Sequence, residues 1–383
     1  MLEVGSDELP ALSKEDGAAF IFSPHSNGRD AAYVIRAFEH FRSGCEGYGK
    51  PYVVLEEHGG FDVRCLAPMQ KEQKRAFEGT CLVERKDGKV VLKRSSTGKR
   101  ITLPEAAYEN MTEFADLDMS TYGGIKRAFE LCRESERQGF SESPSDGFNG
   151  FSCYLRKSKI PSVKENIDFD LYWEHEVVMV KDETDMIKRY CTGDYDGFRK
   201  KCLAVQRRSA DINYRRNRDI IRQVQDLASG RFVIAQFGTC HLPVYEHLSK
   251  TLPSKAAVAP LVILDAHELL YRRDRNLLEG TDEDVSALEE RAVITYIPAG
   301  FMDLMNEHDV EKGRACQRVL ERVTEKTSRD LSKFFSSVLS PSLKEKGFDF
   351  RNEALKWLLS EGVMTAEEFG YITKSSLVPA PSL

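Results

Sequence analysis

The sequence predicts an α/β fold: a mostly parallel central sheet with a small antiparallel β insertion and extensive helical additions. Three observations carry this expectation. Residues 18–22 (AAFIF) and 52–55 (YVVL) are apolar runs of strand length with a helical pattern between them, and strand, helix, strand at this spacing is a βαβ unit with parallel pairing. Residues 231–237 (RFVIAQF) form a further β-branched and aromatic run after a polar helix. Residues 80–94 (TCLVERKDGKVVLKR) place Asp87-Gly88 between two alternating runs, a strong hairpin signal.

The composition narrows the function classes. The chain has 383 residues, 41% hydrophobic and 30% charged, enough to bury a core in one large domain or two. Net charge is −6, with no basic block of the kind that binds nucleic acid. No apolar run approaches membrane-spanning length. The start, MLEVGSDELPALSKEDG, is acidic and lacks the pattern of a secretory signal. Nine scattered cysteines with no CxxC pair fit free thiols in a reducing cytosol, the protein's own cell's or that of a host into which it is delivered.

Taken in order, residues 1–16 read as a loose lead-in. The 18–22 strand ends in the turn-rich Ser23-Pro24-His25-Ser26-Asn27-Gly28. A helix follows from about Asp30, a suitable cap, with Val34, Phe38 and Phe41 facing inward. The 52–55 strand ends in Glu56-Glu57-His58-Gly59-Gly60. The hairpin region, near 80–103, gains a third strand from KRITL. Residues 121–138 are predicted helical, 139–162 a connector or lid, and 163–229 mostly helical with breaks at Gly193 and Gly197. Residues 258–264 (VAPLVIL) and 292–297 (AVITYI) are expected to supply two more strands. Beyond Gly313 the pattern is helical, and Thr365 with Glu368 forms a capping box for the last helix. The expected organisation is an α/β core over 17–312, with insertions near 80–103 and 120–210, and a helical segment over 313–376.

The stretch 215–248 draws the chemistry together. A helix opening on Arg215-Arg216-Asn217 carries Ile220, Val224 and Leu227 on one face, and Gly230 stops it. The 231–237 strand then breaks at Gly238-Thr239-Cys240-His241. In an open parallel sheet, ligands bind along the carboxyl edge of the strands, so His241 falls where chemistry tends to occur. His25, Glu56 or Glu57, Arg216 and His241 would converge there if the strands align. Histidine serves as metal ligand or general base, carboxylates orient it or activate water, and arginine holds a substrate anion or neutralises an oxyanion. His25, Glu56 and His241 would also suit a divalent metal ion. Glu56, the first residue past the apolar run, is the favoured carboxylate.

These residues resemble the superfamily that joins the erythromycin esterases, the ChaN-like haem-binding proteins and the TIKI/TraB proteins. Those proteins carry two Gly-x-x-His motifs at strand ends, a strand ending in Glu after the first, and a helix opening with Arg and Asp or Asn before the second. Here the second motif is Gly238-Thr239-Cys240-His241, preceded by Arg216-Asn217, and VVLEE supplies the strand ending in Glu. The first motif keeps His25, with Phe22 at the glycine position and Ser23 at the acidic or Thr position. The resemblance covers residues 18–60 and 210–300. It implies hydrolysis of an ester or amide bond in a small-molecule or peptide substrate, with or without a divalent metal. Two alternatives remain open: an effector-type protein that keeps the fold without catalysis and binds a protein partner, and a haem or other cofactor binder.

Each signal also has a structural reading. His241 could cap the next helix, His25 could sit in a surface turn, and the arginines of 215–222 could form a solvated face. His58 reads equally well as a turn residue, and His267 as a helix start. Cys240 is adjacent to His241, a spacing at which a Cys–His couple seldom forms. Trp173-Glu174-His175-Glu176 has the composition of a metal cluster, but a helix would turn its two carboxylates apart.

Overall fold

The structure is a computed structural model that describes residues 2–23, 28–57, 71–72, 74–75, 79–137, 150–302, 310–338 and 349–373. The chain divides into two compact units, residues 1–58 with 149–383 and residues 59–148.

The first unit is built on a five-stranded, wholly parallel sheet. Its strands are β2 (Ala18–Ser23), β3 (Tyr52–Glu56), β7 (Ser162–Lys164), β8 (Phe232–Gly238) and β9 (Ser254–Val258), ordered β7-β3-β8-β2-β9. β2 and β8 run in register from Ala18 opposite Val233 to Ser23 opposite Gly238, and Glu56 of β3 lies opposite Gln236. The carboxyl ends of β2, β3 and β8 are therefore level.

Both faces of the sheet are covered. Side chains alternate along a strand, so Ala18, Phe20, Phe22, Val53, Leu55, Val233, Ala235 and Phe237 share one face. They pack on Ile220, Ile221 and Val224 of the Tyr195–Ala228 helix and on Leu242, Val244 and Leu248 of the Leu242–Leu248 helix. Ala19, Ile21, Val54, Phe232 and Ile234 share the other face, against Val34, Phe38 and Phe41 of the Gly28–Gly47 helix and Phe151 and Leu155 of the Gly150–Lys157 helix. Strands buried on both sides read as continuous apolar runs, as the sequence has them.

Several elements differ from expectation. Residues 292–297 are helical, within Ser286–Met302. Val293 and Ile297 enter one apolar cluster while Ile294 enters another, so this helix is buried on two sides, and a helix apolar all round imitates a strand in sequence. The 258–264 run is split. β9 ends at Val258, and β10 (Leu261–Ile263) pairs antiparallel with β1 (Leu2–Val4). The lead-in thus contains a strand. Gly5 follows it at φ +95, where an added Cβ would sit 2.4 Å from the Ala259 carbonyl oxygen, so only glycine fits. The first long helix begins at Gly28, which puts Asp30 inside its first turn.

Arg215, Arg216 and Asn217 do not open a helix. They lie deep inside Tyr195–Ala228, which is 34 residues long and is capped by the Asp194 carboxylate on the Gly197 amide. Gly197 is therefore inside the helix, and the break is confined to Gly193 at φ +83. The C-terminal helices Val310–Arg322, Glu325–Val338, Phe350–Ser360 and Ala366–Thr373 complete the unit. The capping box forms: the Glu368 carboxylate accepts from the Thr365 amide at 2.9 Å, and Thr365 Oγ1 accepts from the Glu368 amide at 3.2 Å.

The second unit holds a three-stranded antiparallel sheet, β4 (Cys81–Lys86), β5 (Lys89–Arg94) and β6 (Arg100–Pro104), with the helices Glu105–Asp116 and Tyr122–Arg137. Asp87 and Gly88 take φ 52 and φ 69, the left-handed pair that a two-residue hairpin turn requires. Val90 and Leu92 bury against Tyr108.

Candidate functional site

Three residues of the sequence constellation meet at the carboxyl edge of the parallel sheet: Glu57, Arg216 and His241. Leu55 points to the face covered by the Tyr195–Ala228 helix, and Glu57, two residues on, is aimed the same way. Its Oε1 lies 3.2 Å from His241 Nε2 and accepts from Arg216 Nη2 at 3.0 Å. Its Oε2 accepts from the Gly238 amide. Gly238 has φ −64 and ψ 155, a conformation open to any residue, so its contribution is the N–H it turns toward the carboxylate.

The long helix delivers Arg216 by the periodicity that buries its apolar stripe. Asn213, Asn217, Ile220 and Val224 are all buried along one side, spaced as one helix face demands. Ile220 and Val224 cover β8. Going back one to two turns toward the N-terminus, at 1.5 Å per residue, carries the stripe to the end of that strand, and its residues become polar there. Arg216 also grips Glu165, through Nε and Nη2 at 2.7 Å each, the two-pronged geometry of a strong charge-assisted pair. Glu165 follows β7, alongside Glu57, because Lys164 is the register partner of Glu56. One guanidinium thus bridges two carboxylates that are 1% and 9% exposed. Burial works against the Arg216 charge, but Glu165 and Glu57 outweigh it and raise its pKa further.

His241 is wholly buried, and its Nδ1 is bonded to Asn217 Oδ1. Burial disfavours the imidazolium and Arg216 adds to that. The Cys240 sulfur and the Glu57 carboxylate outweigh both and lift the pKa to about 10. That direction favours His241 as a proton donor over a resting base. Asn217 donates to Asp274 of the Asp265–Glu279 helix. Burial pushes that carboxyl up to about 7, against the Asn217 bond and the His241 charge.

Glu56 is elsewhere. It follows Val54 and so faces the opposite side of the sheet, where its oxygens accept from Ser152, Ser162 and Lys164, the last at 3.1 Å. The expectation that Glu56 partners His241 fails because neighbours on a strand point to opposite faces. For the same reason Glu56 and His241 lie on different sides of the sheet. His25 and His58 lie outside the described residues. Ser23, the last described residue before His25, is buried and opposite Gly238. Phe22, at the glycine position of the family pattern, is in the core and stacked on Phe20 with centroids 6.0 Å apart. Arg215 pairs with Glu174, and the Glu174–Met179 segment is a single π-helical stretch in which His175 bonds Glu176.

Glu165 and Asp274 carry no site signal in the sequence, and Asn217 carries one only through the family pattern. Asn217 was legible beside Arg216; Glu165 follows a strand of only three residues, and Asp274 lies inside an ordinary charged helix. Among the described residues no group of three or more His, Cys, Asp or Glu is placed to hold a metal ion; both His241 nitrogens are bonded, and Glu57 is shared among an amide, an imidazole and a guanidinium. Nothing in this site departs from the eight described cysteines being free thiols, Cys240 among them. No described helix is long and apolar enough to cross a membrane. No family model, curated protein or solved structure matches the chain.

Proposed function

We propose that this protein is a hydrolase of ester or amide bonds of the erythromycin esterase/TIKI-like type, with Glu57, His241 and Arg216 as its working group. The observation that carries the reading is the meeting of a buried carboxylate and a buried imidazole with a partly buried guanidinium at the level ends of parallel strands. Burying charged groups is costly, and perturbed groups of this kind concentrate at functional sites. In the proposed reaction a water at Glu57 attacks the carbonyl carbon and gives its proton to the carboxylate. The carbonyl oxygen becomes an oxyanion facing His241 Nε2–H. As the carbon–oxygen or carbon–nitrogen bond breaks, the leaving group takes that proton, and Glu57 returns one to His241. Arg216, anchored on Glu165, holds Glu57 in place. His25 remains the second imidazole of the proposal.

The test is turnover by purified protein of aryl esters, lactones and peptides, beside E57Q, H241Q and H25A. The reading expects activity that falls about 100- to 10,000-fold in E57Q, the range of a lost general base. A wild-type protein that cleaves none of the panel, or an E57Q as active as wild type, overturns it.

A second reading, an effector-type protein that keeps the fold and binds a partner, is favoured by one observation: both nitrogens of the fully buried His241 are satisfied inside the protein. In that case the same network pins the long helix to the sheet, and H241Q lowers stability with no turnover to lose.

A further inference from the structure

We propose that Asp274 is a positioning residue that fixes, through Asn217, which nitrogen of His241 carries a permanent proton. Its effect on rate rests on the hydrolase reading above; its effect on protonation does not. Asp274 and Asn217 are both completely buried. The Oδ2 of Asp274 accepts from the Asn217 amide nitrogen and faces that of Asn213 at 3.4 Å. Asn213 and Asn217 are one helical turn apart, so both turn their NH2 groups to one oxygen. Asn213 also donates to the Cys240 carbonyl at 3.2 Å, beside the histidine. The Oδ1 of Asp274 has no hydrogen-bond partner among the described residues.

This arrangement removes a freedom that a buried asparagine otherwise has. With Asp274 ionised, as it is above about pH 7, the carboxylate can only accept, so turning the Asn217 amide over would set its carbonyl against that oxygen and lose the donor bond, leaving buried polar atoms unmatched. With Asp274 in place, the Asn217 oxygen must face His241, so Nδ1 must be the donor. The nitrogen left to gain and lose a proton is Nε2, the one that faces Glu57 at 3.2 Å. Without Asp274, the amide can turn, Nδ1 can become an acceptor, and the mobile proton can sit on the wrong nitrogen. The groups around the ring are Asn217 from the long helix, Glu57 from the end of β3, Arg216 and Cys240.

The experiment is ring-nitrogen NMR of histidine-labelled protein through a pH titration, for wild type, D274A and D274N. In wild type above about pH 7, Nδ1 of His241 should stay protonated while Nε2 alone titrates. In D274A the proton should spread over both nitrogens. In D274N the new carboxamide oxygen can accept from Asn217, and the wild-type pattern should return. A wild-type Nδ1 that loses its proton first overturns the proposal, even if D274A does not fold; so does a D274A spectrum identical to wild type. On the hydrolase reading, kcat of D274A falls about 10- to 100-fold with KM held, as for other groups that act by orienting a histidine, and D274N recovers it. Absence of turnover in wild type removes that reading and leaves the NMR result to decide this one.

Discussion

Replacing Arg216 with methionine probes the charge network most sharply. Methionine keeps an unbranched apolar stem, so the change isolates the guanidinium from its packing. The wild-type side chain makes two 2.7 Å bonds to Glu165 and one 3.0 Å bond to Glu57. Their carboxylates are 1% and 9% exposed, and Arg216 is 19% exposed, so water can replace only a small part of what is lost. Removing one partner of a buried pair leaves an uncompensated charge, at a cost of about 3–5 kcal/mol. Against a usual total of about 5–15 kcal/mol this is a large fraction. Urea unfolding followed by tryptophan fluorescence suits the purpose, because both tryptophans, Trp173 and Trp357, belong to the unit that holds the site. E165Q in the R216M background should recover part of the loss, with a coupling of about 0.5–3 kcal/mol. A loss below about 1 kcal/mol for R216M is the behaviour of an exposed pair, and it would refute the argument that this cluster is buried and mutually dependent.

Further outcomes follow from the same geometry. His241 has its pKa raised from 6.5 to about 10, so its contribution to stability is complete below pH 6.5 and is lost as pH rises through about 10; H241Q should flatten the alkaline limb of a stability–pH curve. Asp274 is raised from 3.8 to about 7, so its contribution is present below 3.8 and lost as pH rises through 7. D274N should therefore gain stability relative to wild type on going from pH 5 to pH 8, read by the same urea titration. Gly88→Val forces a branched residue to φ 69 and should cost about 1–3 kcal/mol. Circular dichroism should record this loss. Thr365→Ala removes half of the capping box and should cost about 1 kcal/mol in the tryptophan-monitored transition.

The parallel sheet was legible because strands buried on both faces leave uninterrupted apolar runs, and the hairpin because Asp87-Gly88 has few other uses. The same double burial hid the choice between Glu56 and Glu57. YVVL has no alternation to say which face is which, so only the pairing of β3 with β7 and β8 distinguishes the two carboxylates. The helix at 286–302 was lost to a β-branched run whose neighbours are apolar on both sides. The opening placed at Arg215 failed because nothing in the local pattern marks a continuation back to Tyr195. Asp274 could not be foreseen, since its meeting with Asn217 is set by how two distant helices pack.

The account depends most on Glu57, not Glu56, being the carboxylate that serves His241. Titration of the His241 ring by NMR in wild type, E56Q and E57Q tests this directly. E57Q should move the midpoint downward from about 10, because an opposing charge at 3.2 Å is gone, whereas E56Q should leave it in place. A midpoint that falls in E56Q and holds in E57Q would contradict the account.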